Sequence, residues 1–133
     1  MPSTSLHISE YVDRPADVVY AFAADPANLP RWASGLAGAA VEEVDGAWVT
    51  DSPMGRVTFS FAPANDLGVL DHDVRLPDGE TVHNPLRVLS DGAGSEVIFT
   101  LRRRDMSDDE MERDAATIRR DLATLKDVVE GGG

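Results

Sequence analysis

Apolar positions recur along this chain with two different periods, and the switches between them divide it into elements. From Leu6 to Asp13 the period is two, with Leu6 and Ile8 on one face and His7 and Ser9 on the other, so this run predicts a strand that Pro15 ends. A helix is expected directly after it. Pro15 suits a first helical position, where its missing N–H would go unpaired anyway, and Asp17 lies where the helix dipole favours a carboxylate. Val18, Val19 and Phe22 form the expected buried stripe. Asp25-Pro26 breaks that helix, and Pro26 to Leu36 predicts a second short helical segment, interrupted by Pro30 and closed by Gly35 and Gly38.

From Val41 onward the pattern becomes short runs at 41–44, 47–51, 55–62, 67–76, 80–89 and 95–103. Asp45-Gly46, Pro77-Asp78-Gly79 and Asp91-Gly92-Ala93-Gly94 punctuate them as hairpin turns, because glycine supplies the positive φ such turns need. Sequential hairpins imply an antiparallel meander. Val57, Phe59 and Phe61 alternate with Thr58 and Ser60, and Val97, Phe99 and Leu101 with Ile98 and Thr100, which leaves one apolar face in need of a cover. The cover follows Ser107, which with Glu110 forms a capping box in front of a helix running to about Val129. Met111, Ala115, Ile118, Leu122, Leu125 and Val129 make its single apolar stripe, and Gly131-Gly132-Gly133 is a frayed end.

The expected fold is therefore α+β. A seven-stranded curved antiparallel sheet wraps around a long C-terminal helix, with two short helices between strands 1 and 2, all in one domain over 1–133.

Charge narrows the partners. Twelve Lys and Arg against twenty-four Asp and Glu leave a formal charge of -12, which repels phosphate backbones and anionic lipid surfaces. Nucleic acid and membrane insertion are not expected, and no apolar run is long enough to span a bilayer. The absence of cysteine removes disulfides, thiolate metal sites and cysteine nucleophiles. The start, Met1-Pro2-Ser3-Thr4-Ser5, lacks a signal peptide's basic and apolar regions, so a cytoplasmic location is expected, as a monomer or weak homodimer.

The segment from Ile8 through Arg14-Pro15-Ala16-Asp17 to Phe22, then Asp25-Pro26, then Leu29-Pro30-Arg31-Trp32, resembles the entry signature of the START-like or SRPBCC superfamily. It looks like that superfamily's polyketide cyclase or dehydrase members. The resemblance covers essentially the whole chain, because the order of strands and terminal helix follows the superfamily's helix-grip arrangement. It implies a fold more than a function, since that superfamily holds lipid carriers, hormone and allergen-type binders, aromatic cyclases, chaperone cofactors and ring-hydroxylase subunits.

A seven-stranded sheet is too wide for one helix to fill, so space is expected between its concave face and the helix, in the size range of small-molecule sites. Only 6% of the residues are aromatic, which leaves much of the filling to Ala and Val and favours a void. The inward set expected to bind an apolar ligand includes Phe59, Phe61, Leu70, Leu86, Phe99, Ile118 and Leu122. Alternation along 70–76 places His72 among Leu70, Val74 and Leu76, as a candidate proton donor or acceptor, or as a hydrogen-bonded core residue. Asn84 shares the phase of Val82, Leu86 and Val88 and is a candidate ligand anchor, although a slip at Pro85 would turn His83 and Arg87 inward instead. Trp32, near the expected pocket mouth, could stack on a planar ligand or anchor the helical turn, and the direction of Trp48 is open.

Asp71 and Asp73 point away from His72. His7, His72 and His83 make no metal motif, no nucleophile elbow or nucleotide-binding glycine loop is present, and no cofactor is expected. Arg102-Arg103-Arg104 is expected to form local salt bridges. Three functions stay open: a binder of a small hydrophobic molecule, a cyclase or dehydratase using His72, and a protein-interaction domain.

Overall fold

The computed structural model describes residues 5–34 and 40–132. The expectations that fall on Met1 to Thr4, on Gly35, Leu36 and Gly38, and on Gly133 lie outside those residues. Strand β1 (Ser5–Val12) leads into helix α1 (Ala16–Ala23), a 3-10 turn (Pro26–Asn28) and the short α2 (Leu29–Trp32). Seven strands follow: β2 (Glu42–Val44), β3 (Ala47–Ser52), β4 (Gly55–Phe61), β5 (His72–Arg75), β6 (Thr81–Asn84), β7 (Leu86–Asp91) and β8 (Gly94–Arg102). Helix α3 (Asp108–Glu130) ends the fold.

The strands pair antiparallel in the orders β2-β3-β4-β5-β6 and β1-β8-β7. The run expected as one strand at 80–89 is thus two, and the break falls at Pro85, which has no N–H to give a ladder. The Pro85 carbonyl still accepts from the Thr100 N–H at 3.0 Å, so the break is a kink in a continuing wall. A second seam lies beside it. Residues just before β5 pair with β7, through Leu70 N–H to the Leu86 carbonyl (2.8 Å) and Val88 N–H to the Gly68 carbonyl (2.9 Å). The strand expected at 67–76 is therefore divided between two partners. Gly68 makes this approach possible, since its φ is +75° and a Cβ there would collide with the Val88 carbonyl.

Helix α1 buries Val19 and Ala23, while Phe22 is half-buried and Val18 is exposed. At 100° per residue, a face centred on Val19 and Ala23 holds Phe22 on its flank and turns Val18 outward. Three stripe residues cannot all be central on so short a helix.

Helix α3 starts on the expected capping box: Ser107 Oγ accepts from the Glu110 N–H at 3.2 Å, and the Ser107 N–H donates to Glu110 Oε1 at 3.0 Å. Its stripe buries Met111, Ala115, Leu122, Leu125 and Val129 in one core with Ile8, Val12 and Val19. Each fully buried leucine here contributes about 2 kcal/mol through removal of apolar surface from water. The helix lies against β1 and less extensively against β8, with no comparable approach to β4, β5 or β6. Its C-terminal end is tied down. Glu130 accepts from the Asp13 N–H (2.8 Å) and from Lys126 Nζ (2.7 Å), Lys126 also donates to the Tyr11 carbonyl, and the Arg14 guanidinium donates to the Glu130 carbonyl.

Candidate functional site

Where α3 stands away from the sheet a cavity of about 250 Å³ remains. One wall comes from directly paired strands, because residues opposite each other in an antiparallel ladder share a face. Phe61 of β4 pairs with His72 of β5, and His72 pairs with Asn84 of β6, so these three side chains form a row across the concave surface. Val74 and Val82 form part of the row beside it. Leu86, Phe99 and Leu101 continue the apolar lining, and Ile118, Leu122 and Asp121 close it from α3. Trp32 and Leu29 of α2 complete one side.

His72 is buried between aromatic edges, its ring centroid 5.5 Å from that of Phe61 and 6.1 Å from that of Phe99. Its Nδ1 lies 3.1 Å from the Leu70 carbonyl oxygen. A carbonyl can only accept, so Nδ1 carries a proton. Burial pushes the imidazole pKa below its ordinary value, against the opposing pull of the Leu70 carbonyl and of Asp71, and the ring is therefore held neutral near pH 7. The backbone on either side of the Leu70 carbonyl is held, by the Leu70 N–H on the Leu86 carbonyl and by the Ala62 N–H on the Asp71 carbonyl.

The opposite face of the same strands carries a separate polar group. Arg87 meets Asp71 with two 2.7 Å contacts, and His83 Nδ1 lies 2.7 Å from Asp73 Oδ1. Arg87, as hydrogen-bond donor, lowers the Asp71 pKa, with burial opposing it. The phase question at Pro85 is thereby answered: Asn84 lines the cavity, Arg87 lies outside, and His83 reaches only the rim.

Two members of the expected ligand set sit elsewhere. Phe59 is 2% exposed and Leu70 is 1% exposed, and neither borders this cavity. Phe59 lies in the ladder between Trp48 and Val74, edge-on to Phe61 at 5.8 Å, and with Trp48 it borders a second depression next to Ala24 and Pro26. Trp48 thus shares the inner face. Leu70 is drawn into the core by its pairing with β7. Trp32, Phe61, His72, Asn84, Leu86, Phe99, Ile118 and Leu122 all border the cavity. The Trp32 indole N–H is buried with no hydrogen-bond partner among the described residues.

The pattern of apolar residues did not point to the polar lining on α3. Asp114, Thr117 and Asp121 border the cavity beside Ile118. Their spacing of three, four and seven along a helix was the available signal. Ser34 donates to the buried Asp121 carboxylate. Asp114 sits at the rim, where partial desolvation raises its pKa and Arg104 opposes the rise, although the side chain still reaches solvent. Of the basic cluster, Arg103 pairs with Asp108, Arg104 with Glu80 at 2.7 Å, and Arg102 donates to Ser5 Oγ at 3.1 Å. Pro53 and Met54, in the turn between β3 and β4, form another part of the rim. Among the described residues no helix is long and apolar enough to cross a membrane.

The family model described as polyketide cyclase / dehydrase and lipid transport matches residues 3–130. Among solved structures, DynU16 of the dynemicin biosynthetic locus is similar over 98% of this chain, at 14% identity and a TM-score of 0.74. The di-domain ARO/CYC protein BexL, of the BE-7585A biosynthetic pathway, is similar over 96% of this chain, at 20% identity and a TM-score of 0.70. This chain spans about half the length of each, 49% of DynU16 and 46% of BexL. Ara h 8.0201 is similar over 96% of this chain and 97% of its own length, at 12% identity and a TM-score of 0.67. At these identities the likeness is one of fold, and it is the helix-grip fold expected from the order of elements. No curated protein matches the chain.

Proposed function

The chain belongs to the polyketide cyclase / dehydrase and lipid transport family, and from that premise we propose that it binds a small hydrophobic or aromatic molecule between the sheet and α3. The observation that carries this is the cavity of about 250 Å³ with its lining of Phe61, Phe99, Leu101, Ile118 and Leu122. A void bordered by so much apolar surface and a few polar groups has the make-up of a small-molecule site. The apolar wall supplies affinity through surface removed from water, while His72 and Asn84 set the orientation of whatever polar group the ligand carries.

The test uses N-phenyl-1-naphthylamine, a neutral dye that brightens on leaving water. Saturable binding near one dye per chain, lost in Ile118→Trp, is the expected outcome. No saturable binding, or binding that Ile118→Trp leaves intact, contradicts the proposal. Native mass spectrometry of the freshly purified protein then identifies any molecule carried along.

One observation favours a second reading, a cyclase or dehydratase. His72 places a neutral imidazole against the apolar wall, where it could accept a proton from a bound polyketone. BexL, from a biosynthetic pathway, and DynU16, from a biosynthetic locus, lend that reading support. Turnover of a polyketone by the wild type that His72→Phe abolishes, with dye binding retained, separates an enzyme from a carrier.

A further inference from the structure

The cavity wall presents lone pairs where a ligand's polar end would meet it. We propose that the site selects a neutral molecule bearing a hydroxyl donor, with His72 Nε2 as the acceptor, over an ether or a carboxylate of the same shape. The inference rests on the ligand-binding reading of this cavity and specifies its chemistry.

A neutral imidazole has one N–H, and the Leu70 carbonyl at 3.1 Å claims it for Nδ1. Nε2, at the tip of the ring beyond the backbone, is left with a lone pair. No hydrogen bond to it forms among the described residues, although the ring borders the cavity between Phe61 and Phe99. The choice of nitrogen follows from the backbone, since the Leu70 carbonyl lies between two held groups, the Leu70 N–H on the Leu86 carbonyl and the Asp71 carbonyl on the Ala62 N–H. A phenol or alcohol satisfies Nε2. An ether of the same outline sets one acceptor against another and gives Nε2 no hydrogen bond.

A carboxylate fares worse for a different reason. Asp114 stands at the rim with its side chain reaching solvent, so an anion entering here passes a carboxylate. Arg104 at the rim is already engaged by Glu80. The chain as a whole carries a charge of -12, which lowers the local concentration of anions before any contact. Arg102, which lines the rim and donates to Ser5 Oγ, could draw a carboxylate outward, and that arrangement would hold the ligand's polar end at the rim instead of at His72.

Three probes of one shape decide the matter, titrated against the wild type by calorimetry at pH 7.5: 2-naphthol, 2-methoxynaphthalene and 2-naphthoate. The expected order is naphthol tightest, with the ether roughly tenfold weaker, the scale of one buried hydrogen bond together with an unsatisfied acceptor. Naphthoate is expected to be weaker still. His72→Phe brings naphthol and ether within about twofold of each other, and His72→Leu serves the same purpose if the larger ring disturbs folding. Naphthol and ether binding equally well to the wild type would overturn the hydroxyl preference while leaving ligand binding intact. Naphthoate binding as tightly as naphthol would place the polar end at Arg102 and overturn it too. Failure of all three probes would instead contradict the ligand-binding reading itself.

Discussion

Strands β1 and β5 belong to the same curved wall, and both turn alternate residues toward α3, yet their inner faces meet different surroundings. Ile8 and Val12 of β1 lie in a filled core with Leu125 and Val129 of the helix. His72 and Val74 of β5 border a void. The helix is drawn to β1 along its length and pinned there at its end by Glu130, Lys126 and Arg14, so it cannot also settle onto β5. A single helix laid along one side of a wide sheet stabilises that side and leaves room on the other. Close packing and open space are thereby assigned to different strands.

The sharpest way to break this contrast is to delete the same amount of side chain on either side of it. Leu125→Ala, at a fully buried position, is expected to cost about 3 kcal/mol in urea denaturation. Ile118→Ala, half-buried over the void, is expected to cost about 1 kcal/mol, because its neighbours already lack full contact. Equal losses would mean that both sides are filled alike. Next in size is a gain of volume: Ile118→Trp should weaken N-phenyl-1-naphthylamine binding by tenfold or roughly more, with unfolding free energy changed by less than about 1.5 kcal/mol. An overpacked core would show the reverse, a large loss of stability.

A pH series sharpens the β5 side. Burial lowers the His72 pKa in the folded state, so the unfolded chain takes up that proton first as the pH falls. The stability associated with neutral His72 is complete above its unfolded pKa, about 6.5, and declines below it by at most about 1.4 kcal/mol per pH unit until the folded form protonates as well. His72→Phe should flatten this part of the curve between pH 7 and 5. A slope that persists unchanged in the variant would assign it to other groups. The smallest effect belongs to the exposed helix start: Ser107→Ala removes half of the capping box and should cost about 0.5 kcal/mol without altering which side of the sheet is filled.

Much of this contrast could be read from residue order. The hairpin at Asp45-Gly46 forms with both residues at positive φ, and the α3 stripe and its Ser107–Glu110 box stand where periodicity put them. His72 and Asn84 share the inner face because strand alternation leaves no other choice once Phe61 faces inward. What escaped depends on tertiary partners. Phe59 and Leu70 have the right phase but are buried by neighbours, Trp48 in one case and β7 in the other, that alternation cannot supply. Asp121 and Asp114 are polar positions on an otherwise apolar flank, and their role follows only from where the helix lies. Asn65 escaped for the same reason. Its side chain accepts from the Leu67 and Val69 N–H groups and donates to the Pro63 and Val69 carbonyls, shaping the loop that delivers Leu70 and His72.

Xenon under pressure is the most direct probe of the void beneath α3, because it enters empty apolar cavities and needs no specific chemistry. Crystals of the protein soaked in the gas should show xenon among Phe61, Phe99 and Ile118 and none around Val12 and Leu125. Xenon absent from the first location, or bound equally at both, would contradict the division of the sheet into a filled side and a hollow one.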